Sequence, residues 1–174
     1  MSTNTEIKAR VGSLDELHPR VASLSDAAPE YLTQDDTVFT CPNGRLKLRV
    51  LDDGHGVLIF YRRSDELGPK PSFYVHSATA DPDGLRQVLS LAYGESGRVR
   101  KQRTVFRAGH TAIHLDRVEG LGEFLELEVT VGDVLDAEAA IAEARRLMSV
   151  LGIDEAALVK GAYLDLLQRE AHQG

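Results

Sequence analysis

Along much of this chain apolar and polar residues alternate one for one, the period of a β-strand whose two faces meet different surroundings. The pattern predicts strands over residues 5–11, 31–40, 45–51, 57–63, 72–77, 97–107, 111–118 and 122–131. Short turn signals separate several of them: Pro42-Asn43-Gly44, Asp52-Asp53-Gly54, Ala108-Gly109-His110 and Glu119-Gly120-Leu121. Elsewhere the apolar spacing is helical. Leu14, Leu17, Val21 and Leu24 predict a helix over 14–24, with Ser13 as N-cap and Pro19 expected to kink it or delay its start. Leu85, Val88, Leu89 and Ala92 share one face of a helix over 81–93, and 136–151 is a helix rich in Ala, Glu and Arg. A further helical stretch is expected to open at Ile153-Asp154-Glu155 and end at Tyr163-Leu164-Asp165-Leu166-Leu167. Eight strands, mostly in meanders, with helices inserted or appended, predict an α+β fold built on an antiparallel β-barrel. No repeat, low-complexity tract or Gly/Ser linker divides the chain, so 1–174 is read as one domain.

The polar faces of these strands are unusual. Glu6, Lys8 and Arg10 share a face, as do Arg45, Lys47 and Arg49; Arg63 aligns with Tyr61 and Ile59, and Lys101 with Arg103. His114 aligns with Asp116, and Glu126 with Glu128. Any one such strand is what the wet face of an antiparallel sheet looks like. Together they are harder to explain that way, because like charges repeated along a strand repel. A barrel with its apolar face turned outward against helices, and its charged face inward, accounts for all of them. Lys and Arg would neutralise a polyphosphate, Arg in bidentate fashion, while carboxylates would hold a divalent ion that bridges to phosphate oxygens. A lattice of structural salt bridges is the alternative reading of the same residues.

Composition narrows the classes. Of 174 residues 27% are charged, and the net charge of −7 disfavours non-specific binding to nucleic acid or anionic membrane. Cys41 is the one cysteine, so no intrachain disulfide can form. The start, Met1-Ser2-Thr3-Asn4-Thr5-Glu6, carries no basic or apolar run of a signal peptide, and no apolar stretch reaches membrane-span length, so a cytoplasmic location is expected. The six histidines show no zinc spacing; His110 and His114 are expected to straddle a turn and a strand. No P-loop glycine-lysine motif is present. Asp35 and Asp36 are left without a role, and Tyr163 is read as a packing aromatic.

The chain resembles the CYTH family, the triphosphate tunnel metalloenzymes. Asn4-Thr5-Glu6-Ile7-Lys8-Ala9-Arg10 is similar to the N-terminal Glu-x-Glu-x-Lys signature. The likeness continues through Gln34-Asp35-Asp36-Thr37-Val38-Phe39, Asn43-Gly44-Arg45-Leu46-Lys47-Leu48-Arg49, Arg100-Lys101-Gln102-Arg103, residues 114–122, Phe124-Leu125-Glu126-Leu127-Glu128 and residues 162–167. The second and third blocks look closest to class IV adenylate cyclases. The resemblance implies a closed eight-stranded antiparallel tunnel and Mg²⁺- or Mn²⁺-dependent work on a triphosphate such as ATP or inorganic triphosphate. It implies metal ligation by Glu6, Asp116, Glu126 and Glu128. It implies an anion site of Lys8, Arg10, Arg45, Lys47, Arg49, Arg63, Lys101 and Arg103, with Lys8, Asp116 and Arg103 closest to catalysis. One departure is Asn4, where the family has a first Glu; it offers a carbonyl but no charge.

The leading expectation is cyclisation of ATP to cyclic AMP and pyrophosphate. Hydrolysis of inorganic triphosphate or thiamine triphosphate is the alternative enzyme, and a non-catalytic nucleotide or polyphosphate-binding module the third. A homodimer is possible on these grounds, through the helix over 136–151, which could instead pack on the barrel.

Overall fold

The computed structural model describes residues 2–174. Its strands are β1 (Ser2–Arg10), β2 (Glu30–Phe39), β3 (Arg45–Val50), β4 (Gly56–Arg63), β5 (Lys70–Thr79), β6 (Glu95–Ala108), β7 (Thr111–Val118) and β8 (Gly122–Val131). They close a barrel in the order β1-β5-β4-β3-β2-β6-β7-β8, antiparallel at every pairing. The expected α+β barrel is therefore present, and closure leaves no strand edge unpaired. β1 begins earlier and β5 runs longer at both ends than the alternation suggests. Ser2, Thr3 and Asn4 pair with Tyr74, Phe73 and Ser72, and Lys70 and Pro71 pair with Glu6 and Thr5, so backbone partners extend strands that side-chain pattern leaves blank.

Four helices clothe the barrel: α1 (Leu14–Ala22), α2 (Pro82–Tyr93), α3 (Ala137–Leu151) and α4 (Tyr163–Ala171). Their starts follow local chemistry. The Ser13 hydroxyl accepts from Glu16 N, Asp81 from Gly84 N at 2.9 Å, and Asp136 from Ala139 N at 2.8 Å, each satisfying an orphan donor of the first turn. Pro19 neither delays nor breaks α1. α3 ends at Gly152, whose left-handed backbone is one a glycine adopts freely.

The apolar face of the barrel points outward. Ile7, Ala9, Phe106, Ile113, Leu115, Leu125, Leu127 and Val129 pack under Leu14, Leu17 and Val21 of α1 and Ala140, Ala144 and Leu147 of α3. Leu125 and Leu127 are fully buried, worth ~2 kcal/mol each against exposure. α3 thus spends its apolar stripe on β1 and β8. α2 covers Phe39 and Leu48 with Leu89. Among the described residues no helix is long and apolar enough to cross a membrane.

The C-terminal stretch departs from the expected continuous helix. A single 3₁₀ turn at Glu155–Ala157 gives way to an extended segment, bridged at Leu158 to Ala9, before α4 begins. Val159 N donates to Lys8 O at 3.0 Å. Gly161, at φ +84°, then turns the chain across one end of the barrel, and Asp165 accepts from Ala162 N at 2.8 Å to start α4. Glycine in the left-handed region is the punctuation that ends the helical reading.

Candidate functional site

Inside the barrel lies a cavity of about 400 Å³. Its lining holds Lys8, Arg45, Lys47, Arg49, Arg63, Lys101, Arg103 and Arg107 against Glu6, Glu30, Asp36, Glu126 and Glu128. Eight basic to five acidic groups leave an excess of three positive charges, in a chain of net charge −7. Strand alternation alone produces this: the residues on β1, β3, β6 and β8 that face inward are those two apart from one another. Register then brings signs together. Lys8 lies opposite Glu126, Glu6 opposite Glu128, Arg103 opposite Asp116, and His114 opposite Glu126.

Two carboxylates are fixed as anchors. Asp116 is wholly buried; Oδ1 accepts from Arg103 Nε at 2.7 Å, and Oδ2 from Arg103 Nη2 at 2.6 Å and Tyr163 Oη at 2.7 Å, with Lys101 Nζ 3.4 Å away. Asp36 accepts a bidentate pair from Arg49, both at 2.8 Å, and its Oδ2 lies 3.1 Å from Lys47. Burial pushes both carboxyls up, but the neighbouring cations outweigh it and hold them well below the usual carboxylate range. Asp116 was expected to bind metal. Its oxygens accept from a guanidinium and a tyrosine hydroxyl with an ammonium close by, contacts that hold Arg103 and Lys101 in the lining. Asp36 and Tyr163, given no chemical role from sequence, hold four basic side chains of the lining between them, Asp36 through Arg49 and Lys47 and the Tyr163 ring beneath Lys8 and Lys101.

Arg10 also departs from expectation. It shares the face of Lys8, but β1 leaves the barrel there. Its guanidinium bonds Leu121 O at 2.9 Å and Glu170 at 2.7 Å and stacks over Phe124, outside the cavity. Arg45, Lys47, Arg49, Arg63, Lys101 and Arg103 do converge. Arg63 donates to Glu6 at 3.1 Å, and Arg45 meets Asp165 of α4 at 2.8 Å. The Gly161 carbonyl accepts from both Lys8 Nζ at 3.2 Å and Arg63 Nη2 at 3.0 Å, so α4 and its lead-in cover this end. The other end is bordered by the exposed residues Glu30, His76 and Arg107.

The remaining carboxylates differ from the anchors. Burial, then Glu128, raise the Glu6 carboxyl above its ordinary value, and Glu126 adds to this against the pull of Arg63. Three carboxylates, Glu6, Glu126 and Glu128, share this part of the lining, a donor set that suits a divalent cation. Among the described residues Glu128 makes no ion pair. Asn4, one step further along β1, is buried with Oδ1 unpartnered. On the cationic side, burial lowers Lys8 to about 8 and Lys101 to about 7, helped by Arg63 and Arg103 respectively.

These lysines imply a pH effect. In the unfolded chain both hold their proton to about 10.5, while in the fold they release it near 8 and 7. Between pH 7 and 10 the unfolded chain therefore binds more protons, and stability rises with pH. The metal-free protein should gain on the order of 3–4 kcal/mol from pH 7 to pH 9, read from urea midpoints at the two values. A falling midpoint contradicts the assignment of these two groups as buried and lowered.

A closed tunnel walled by opposed cations and carboxylates defines the class of the triphosphate-tunnel fold. The chain belongs to the CYTH family: the CYTH domain matches residues 2–163. A Methanocaldococcus jannaschii protein named "putative adenylate cyclase" is 26% identical over 169 residues, covering 92% of this chain and 96% of the relative. A Pyrococcus horikoshii protein superposes with a TM-score of 0.84 at 21% identity, over 94% of this chain and 99% of that one. A Hippeastrum protein, described as a "putative adenylyl cyclase" with a dominant triphosphatase activity, gives a TM-score of 0.65 at 18% identity over 96% of both chains.

Proposed function

We propose that this chain is a divalent-metal-dependent enzyme that draws a triphosphate into the barrel and delivers water to its terminal phosphorus. The carrying observation is that Lys101, lowered to about 7, sits in the same cavity as fixed arginines and the carboxylates of Glu6, Glu126 and Glu128. A lysine near that value is substantially neutral at cytoplasmic pH and can accept a proton. Lys8, Arg45, Lys47, Arg49 and Arg63 bind and align the phosphate chain, Arg103 stabilises charge on the transferring group, and Asp116 positions Arg103 and Lys101. Glu6, Glu126 and Glu128 would hold Mg²⁺ or Mn²⁺, which supplies charge neutralisation at the phosphate oxygens. Water oxygen bonds to the terminal phosphorus, its proton passes to Lys101 Nζ, and the bond to the bridging oxygen breaks to release the shortened polyphosphate. Lys101 is buried between Arg103, Asp116 and the Tyr163 ring, 4.7 Å from its centroid, which favours a nucleophile as small as water.

Cyclisation of ATP is the second reading. Tyr74 and His76 form a ring pair with centroids 4.9 Å apart on the cavity wall near its open end, a surface on which a nucleobase can stack. The name of the Methanocaldococcus relative supports it as well. The test is incubation with Mg²⁺ or Mn²⁺ and, separately, inorganic triphosphate, thiamine triphosphate and ATP. Orthophosphate from any of them is expected. Cyclic AMP with pyrophosphate establishes the second reading instead, and saturable binding without turnover under either metal leaves only a binding module.

A further inference from the structure

His114 is 6% exposed, and its Nδ1 is buried with no hydrogen-bond partner. Glu126 Oε2 lies 3.7 Å from it, too far for a hydrogen bond. A buried ring nitrogen left without a partner costs free energy, so its surroundings call for an explanation. They supply one. A donor atom from each of His114, Glu126 and Glu128 lies within 4.8 Å of the other two. Ligands ~2.1 Å from one ion stand up to ~4.2 Å apart, so small side-chain rotations close the site. The backbone prepares this. His114 sits directly across from Glu126 in the β7–β8 ladder, and Glu128 is the next inward position on β8.

Each carboxylate retains capacity for an ion. Glu126 Oε1 lies 3.3 Å from Lys8 and Oε2 accepts from Arg103 at 2.9 Å, one contact per oxygen where each has two lone pairs. Glu128 has no ion-pair partner among the described residues. An all-oxygen site suits Mg²⁺; an imidazole moves preference toward first-row transition ions, which bind nitrogen more strongly. Resting on the metal-dependent reading above, we propose that His114 is itself a metal ligand, completing with Glu126 and Glu128 a mixed nitrogen–oxygen site that selects a transition dication such as Mn²⁺ or Co²⁺ over Mg²⁺.

Direct metal binding tests this without turnover. Calorimetric titration of the metal-free full-length protein should show Co²⁺ binding at least about tenfold tighter than Mg²⁺, and His114→Gln should lose most of that difference. In wild-type protein the pulsed EPR spectrum of bound Mn²⁺ should carry nitrogen modulation from an imidazole, absent in His114→Gln. The spectrum of the wild type stands even where the variant fails to fold. Absence of nitrogen modulation, or equal Co²⁺ preference in both proteins, overturns the proposal and leaves His114 as an electrostatic neighbour of Glu126. The two readings fail separately. Triphosphate turnover with no nitrogen coupling removes the ligand and keeps the enzyme. Nitrogen-coupled metal with no turnover on any triphosphate does the reverse.

Discussion

Lys101→Met should lower kcat on the hydrolysed triphosphate by about 10²- to 10⁴-fold while the protein stays folded. The loss is that of a general base. The retained fold follows from the lysine's own environment, because burial and Arg103 already disfavour its charged form. An apolar side chain of similar length removes that conflict, and Asp116 keeps Arg103 and Tyr163 as partners. The melting temperature should hold or rise. A pH profile adds a second readout. In the wild type kcat/KM should rise with pH through about 7, since the base must be neutral. In kcat the same limb should move upward, because the bound anion favours the protonated lysine. A variant within threefold of wild-type turnover, or an unshifted acid limb that survives in it, would falsify the assignment of Lys101.

Asp116→Ala is the converse case, a large cost in stability. It strips the counter-charge from Arg103 and Lys101 and the acceptor from Tyr163 at one stroke, in a place with no solvent access. Removing one partner of a buried pair costs about 3–5 kcal/mol, because the other is left charged and unpaired. For a chain of this size that is a fall in melting temperature of about 10 °C. Asp116→Asn keeps the shape and one acceptor oxygen and should fall between the two. Equilibrium denaturation reads both; a loss below about 1 kcal/mol for the alanine variant shows that Arg103 and Lys101 do not depend on it.

The barrel was legible because alternation is a local property. Arg45, Lys47 and Arg49 against Leu46, Leu48 and Val50 declare two faces in six residues, and the outward packing of Leu48 follows directly. What alternation cannot state is which inward residue meets which. Asp36 was left without a role, yet register sets it directly opposite Arg49. Asp116 showed its charge in the sequence but not its neighbours Arg103, Lys101 and Tyr163. Arg10 kept the correct face but passed the rim, since periodicity says nothing of where a strand leaves the sheet. His114 was weighed only against a second histidine four residues away; its inward alignment with Asp116 was the signal that linked it to the carboxylates of β8. The C-terminal segment misled for a different reason. Its apolar spacing suits a helix, while bonds to β1, made 150 residues earlier in the chain, hold residues 158–162 extended.

The ring closes through β1, which lies between β5 and β8. A ribosome delivers that strand first and its second neighbour only after residue 131 has been made. Until then Lys8 lacks Glu126, the carboxylate it meets across the ladder, and the cylinder stays split along one side of β1. Assembly of the nascent chain is thus gated by its own late segments, and contacts of such long separation make for slow closure. Stalling translation before β8 emerges should leave a species that protease cuts within the first ten residues, whereas release of the finished polypeptide hides that stretch.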